Sequence, residues 1–182
     1  MNIEIDNICE IYTTNENAFS VGVKCYENSK WFVFYNIDPK GVIDGYFVVK
    51  KSQVRKKQQN TSYLKMIKMF MLYSDTHSYS KWFSLKKITF RNDIIDQILA
   101  LSENDGSIIT IKSNKDNIIY EGYISVDKDT IHMKCINISN ALIFESVDLQ
   151  KDDIEYIEFL TLDQKLLDYA HRKLSESTGV GC

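Results

Sequence analysis

The chain has 182 residues, 44% of them hydrophobic and 26% charged, with a formal net charge of −3 at pH 7. That balance belongs to a folded globular protein, large enough for one large domain or two small ones, and excludes a disordered chain. One proline and seven glycines leave little room for long flexible linkers.

The first eleven residues carry Glu4, Asp6 and Glu10, where a secretory signal needs a basic start and an apolar run. No stretch reaches the roughly 18 apolar residues of a membrane span, so a cytoplasmic location is expected. The abundance of Ile, Lys and Asn suggests an AT-rich, bacterial or phage coding sequence. Ile8–Ile11 reads as a first strand, and the run through Gly22 as a second. Asp38-Pro39-Lys40-Gly41 has the chemistry of a type I turn, with Pro39 pre-set at its second position. Asp44-Gly45 reads as another turn, and Tyr46–Lys50 as a strand. Ser62–Tyr73 is rich in helix formers, with Tyr63, Leu64, Ile67 and Phe70 at core spacing. A second helix is expected from Asn92 as N-cap to Glu103, with a stripe of Ile94, Ile95, Ile98 and Leu99 and a stop at Asn104-Asp105-Gly106.

Beyond it, Ser107–Ile111 reads as a strand. The alternation of Ile118, Tyr120, Gly122, Ile124 and Val126 with Ile119, Glu121, Tyr123 and Ser125 then marks a half-buried strand. Gly122 in mid-strand implies a bend or a close backbone approach. After the turn Asp127-Lys128-Asp129 come three strands, Ile131–Ile138, Ala141–Leu149 and Ile154–Phe159. Thr161 and Gln164 fit a capping box, opening a helix that buries Leu166, Leu167, Ala170 and Leu174.

Setting residue n over n + 100 without a gap reveals an internal repeat. Ile8–Ile11 lies over Ile108–Ile111, Gly22 over Gly122, Trp31 over Ile131, Lys51 over Lys151 and Thr61 over Thr161. The expected organisation is a first β unit over 1–60, a basic, aromatic-rich helical connector over 61–104, a second β unit over 105–160, and a C-terminal helix and tail over 161–182.

The segment Glu121-Gly122-Tyr123-Ile124-Ser125-Val126-Asp127, a glycine-bearing second strand running into an acidic turn, resembles Sm-like domains over about 50 residues. The whole arrangement resembles bacterial proteins with tandem Sm-like, SH3-like small β-barrels. The resemblance implies a mainly β fold of two tandem five-stranded barrels with flanking helices. Sm proteins contact RNA through an Arg-Gly or Lys-Gly pair near the fourth strand. Here the corresponding stretches are Lys50-Lys51-Ser52-Gln53 and Leu149-Gln150-Lys151-Asp152-Asp153, without the glycine.

Catalytic signatures are missing: no nucleophile elbow, no phosphate-binding loop and no dinucleotide fingerprint. His77, His132 and His171 have no ligand neighbours at metal-site spacing. Asp127/Asp129 and Asp152/Asp153 read as turn residues. Cys9, Cys25, Cys135 and Cys182 form no C-x-x-C pair, and no disulfide, metal or other cofactor is expected. The unusual feature is charge. Residues 50–91 hold eleven cations and one acid, whereas 92–182 hold eight cations and seventeen acids. Lys50, Lys51, Arg55, Lys56, Lys57, Lys86 and Lys87, with Trp82, are candidate contacts for a polyanion or partner. Gly22, Gly122, Pro39 and Gly41 are expected to be structural. The basic stretch either packs on the acidic half of its own chain, the favoured alternative, or binds a polyanion. The expected function is a non-catalytic interaction protein (an adaptor, regulator or immunity-type inhibitor) with a protein partner. The alternative is an Sm-like RNA-binding protein using the basic segment 50–91.

Overall fold

The computed structural model describes residues 7–14, 19–77, 85–115 and 118–178. The chain divides into two compact units, Met1–Ile88 and Thr89–Cys182. Unit 1 contains β1 (Ile8–Thr13), β2 (Phe19–Glu27), β3 (Trp31–Ile37), β4 (Ile43–Lys50), a 3-10 turn at Lys51–Gln53, β5 (Val54–Gln58) and α1 (Ser62–Thr76). Unit 2 opens with α2 (Ile94–Asp105). It continues with β6 (Ile109–Ser113), β7 (Ile119–Asp127), β8 (Thr130–Asn137), β9 (Leu142–Gln150), a 3-10 turn at Lys151–Asp153, β10 (Ile154–Phe159) and α3 (Leu162–Thr178). Among the described residues, no helix is long and apolar enough to cross a membrane.

In unit 1 the strands run in the order β5-β1-β2-β3-β4, and in unit 2 in the order β10-β6-β7-β8-β9. Every described pair is antiparallel. The mainly β fold with flanking helices is therefore as expected, but neither run closes into a barrel. The end strands β4 and β5 do not pair with each other, nor do β9 and β10. The first unit is nevertheless strongly curled. Three strand spacings, roughly 14 Å in a flat sheet, separate β5 from β3, yet the Lys57 ammonium on β5 lies 4.0 Å from the Phe32 ring centre on β3. Bulges between Tyr12 and Thr13, Lys24 and Tyr26, and Tyr35 and Ile37 supply bends.

α1 covers one face of its sheet, joining Leu64, Ile67 and Met71 to Ile8, Val21, Val23 and Ile37 in one buried cluster. Phe70, expected inward, is 40% exposed. Thr61 caps α1 by accepting the Leu64 amide at 3.1 Å and donates its hydroxyl to the buried Glu10. The Asp38–Gly41 turn forms as expected. The Gly41 amide donates to the Asp38 carbonyl at 2.9 Å, and the Asp38 carboxylate accepts the amides of Lys40 and Val42. Gly41 adopts φ +77°, with the Met71 amide nitrogen too close for a side chain. Asp44-Gly45, expected as a turn, lies inside β4, because Gly45 absorbs φ +78° within the strand.

Two further expectations change in unit 2. The N-cap of α2 is Asp93 rather than Asn92, and no side chain caps it. The capping box of α3 forms in both directions, Thr161 amide to Gln164 and Gln164 amide to Thr161 hydroxyl. Its expected buried stripe does not: Leu166 and Leu174 are exposed. α3 is anchored instead by polar contacts, Tyr123 hydroxyl to Asp168 at 2.7 Å and His171 Nδ1 to the Ala141 carbonyl at 2.8 Å.

The bounds of β2 and β7, of the two 3-10 turns and of β5 and β10 start one hundred positions apart, and so do those of α1 and α3. Gly22 pairs with Cys9 on the first strand of its unit and Gly122 with Ile109. The third strand breaks the gapless register. Trp31 lies opposite Lys50 on β4, but it is Thr130, not Ile131, that lies opposite Gln150 on β9. The cause is the preceding turn. Unit 1 uses Asn28-Ser29-Lys30, closed by the Asn28 carboxamide accepting the amides of Lys30 and Trp31. Unit 2 uses the two residues Lys128-Asp129, with Lys128 in the left-handed region.

Candidate anionic-partner site

Successive residues of a strand point to opposite faces. Since Val21 and Val23 face α1, Gly22 and Lys24 lie on the other face. There, at one rim of the curled sheet, Phe32 is half-buried and surrounded by three ammonium groups. Lys57 Nζ sits 4.0 Å from its ring centre, Lys51 4.6 Å and Lys24 6.0 Å. Each contact at an exposed site is worth about 0.5–1 kcal/mol. Among the described residues one acid serves this group: Glu27 accepts from Lys51 at 3.0 Å and from Lys24 at 3.1 Å. The Lys51 hydrogen bond, then that of Lys24, holds the Glu27 carboxyl below its ordinary range. Lys57 has no carboxylate partner among the described residues. Behind the ring, Phe34 packs 6.0 Å from Phe32 and stacks on Phe47 at 4.8 Å, both fully buried. The platform therefore has a rigid aromatic floor and a net positive rim.

Of the cations singled out in the sequence, Lys51 and Lys57 converge here. Lys50 lies over the Trp31 ring at 5.8 Å and Lys56 over Tyr12 at 5.7 Å. Arg55 is exposed on β5. Lys86 and Lys87 are exposed in the irregular stretch 85–91, where the Lys86 carbonyl accepts from the Tyr46 hydroxyl at 3.0 Å. Trp82 lies outside the described residues. Sequence reasoning missed Lys24, Glu27 and Phe32, which stand outside the basic run.

Unit 2 shows what these positions do when they serve packing alone. Lys57 is paired with Ile11 as Ile157 is with Ile111, and Lys24 with Phe34 as Ile124 is with Met133. Phe32 lies opposite Val49 as Ile131 lies opposite Leu149. Ile124, Ile131 and Ile157 are all buried. Unit 1 thus has two lysines and an aromatic ring where unit 2 has three core isoleucines.

The remaining reactive groups are quiet. Cys9, Cys25 and Cys135 are free thiols, and Cys182 lies outside the described residues. Burial pushes the Cys25 thiol up to about 12 and that of Cys135 to about 11, far from nucleophilic character at neutral pH. His132 pairs with Asp148 on the exposed surface of β8 and β9. Among the described residues, no group of three or more His, Cys, Asp or Glu side chains is placed to hold a metal ion. No protein-family model, curated protein sequence or solved structure matches the chain.

Proposed function

We propose that the chain is a non-catalytic interaction protein that docks an anionic partner on the Phe32 platform of unit 1. The observation that carries this reading is the exchange of Ile124, Ile131 and Ile157 for Lys24, Phe32 and Lys57 at matching register. Burying an apolar side chain at such a position stabilises a fold by about 1.5–3 kcal/mol. Gathering ammonium groups there forgoes that gain, and binding an anion recovers it.

The two units are read as a duplication of one small, curled, Sm-like or SH3-like β unit, from the shared order of elements and their matching bounds. The kinship concerns architecture. It supplies no RNA-binding glycine motif at Lys50–Gln53 or Leu149–Asp153. A second function, single-stranded RNA binding, is favoured by the aromatic ring among cations, since stacking and phosphate pairing use the same groups.

The test is a pull-down from the native host with the wild type and a Lys24→Gln/Lys51→Gln/Lys57→Gln variant, identifying both protein and RNA. Acidic proteins retained by the wild type and lost by the variant are expected. RNA lost in the same way selects the second function. Identical capture by both proteins refutes the platform.

A further inference from the structure

α2 of unit 2 shows how this fold receives a helix. Its Asp96 carboxylate accepts from Lys151 Nζ at 2.6 Å, and its Glu103 carboxylate accepts the Val126 amide at 3.0 Å. These two contacts pin the helix between the 3-10 turn and the end of β7, on which it packs. Ile94, Ile98 and Leu99 are buried beneath it. Residues 92–106 contain four acids, Asp93, Asp96, Glu103 and Asp105, and no Lys or Arg.

The corresponding places in unit 1 are Lys51 on the 3-10 turn and Tyr26 near the end of β2. The two turns are built alike, with the Lys51 amide donating to the Lys30 carbonyl and the Lys151 amide to the Asp129 carbonyl. Among the described residues, unit 1 has one helix, α1, and it covers the opposite face with Leu64, Ile67 and Met71. Around Lys51 stand Phe32, Lys24 and Lys57, with Glu27 holding the ammonium groups of Lys51 and Lys24.

We infer that the partner is a protein that presents an acidic amphipathic helix, received on unit 1 in the manner in which unit 2 receives α2. This rests on the reading of the platform as an anionic docking site and names its occupant. The helix of the partner places a carboxylate on Lys51 in the role of Asp96 and displaces Glu27. Further acids three or four positions along the same face reach Lys24 and Lys57. Its apolar stripe packs on Phe32 and on the methylene stems of the lysines. A polynucleotide would satisfy the charges as well, but it has no counterpart to the α2 arrangement.

The probe is a fluorescein-labelled peptide of residues 92–106, stapled on its exposed face to hold the helix, titrated into the full chain by anisotropy. A control peptide has its four acids replaced by amides. Saturable binding is expected, weakened about tenfold or more by the control peptide and by Lys24→Glu/Lys57→Glu. Lys24→Gln/Lys57→Gln repeats the test if charge reversal impairs folding, as monitored by circular dichroism. If an oligouridylate binds with lysine dependence and the peptide does not, the helix is refuted and the anionic site survives. If neither binds with lysine dependence, both fall.

Discussion

Replacing Gly122 by alanine drives a side chain into the backbone of the neighbouring strand. Gly122 on β7 pairs with Ile109 on one side and Cys135 on the other. A Cβ added there would overlap the carbonyl oxygen of Lys134, lie 2.8 Å from its carbonyl carbon and 3.0 Å from the Cys135 Cα. All three are backbone atoms of β8, itself paired on both sides, so no rotamer change relieves the clash. The cost belongs at the top of the overpacking range, about 3 kcal/mol. At Gly22 the obstacles are the Tyr35 carbonyl oxygen at 2.5 Å and two side-chain atoms, Phe47 Cε1 at 2.9 Å and Phe34 Cβ at 3.0 Å. Part of that strain can relax, and about 2 kcal/mol is expected. Gly106 supplies the control. Its φ is +56° and the nearest atom to an added Cβ is 3.9 Å away, leaving only the left-handed backbone penalty of about 1 kcal/mol. In urea, with a slope of about 2 kcal/mol/M, the Gly122→Ala midpoint should fall by about 1.5 M. A Gly122→Ala midpoint no lower than that of Gly106→Ala would refute the close approach of β7 and β8.

Thr161→Ala removes half of the α3 capping box and should cost about 1 kcal/mol in urea unfolding. Burial raises the Cys25 thiol from 9.0 to about 12, so the folded state holds its proton more tightly than the unfolded state. The associated stability is complete below pH 9 and is lost as pH rises toward 12. Cys25→Ser should flatten the alkaline fall of the urea midpoint, and the wild-type thiol should resist alkylation at pH 8 until urea unfolds the chain. Glu27→Gln removes the carboxylate that pairs with Lys24 and Lys51. It should strengthen binding of the acidic peptide several-fold and steepen its decline with salt, as read by the same anisotropy titration.

Much of unit 2 was legible because its strands alternate cleanly: Ile119–Asp127 follows from period two, and the capping box from Thr161 and Gln164. The third-strand offset was not, because it depends on turn geometry. A side-chain closure by Asn28 and a left-handed Lys128 differ by one residue and leave no trace in hydrophobic pattern. The stripe of α3 misled for another reason. Leu166 and Leu174 recur at helical spacing, but polar anchors at Asp168 and His171 set the orientation of the helix. The platform was half visible. Lys51 and Lys57 stood out in a run of cations, whereas Lys24 and Phe32 join them only through the curl of the sheet. The signal that could have found them lay in the gapless n + 100 alignment, which sets the lysines at positions 24 and 57 against Ile124 and Ile157.

The claim that these lysines serve binding rather than folding is tested most directly by giving unit 1 the residues of unit 2. In a Lys24→Ile/Lys57→Ile variant the urea midpoint should stay at or above that of the wild type, since apolar contact with Phe32 and its neighbours replaces exposed ion pairs and cation–ring contacts worth little individually. The decisive measurement is the affinity of this variant for the stapled acidic helix. The account predicts a loss of about tenfold or more in a fully folded protein; wild-type affinity in the variant would contradict it.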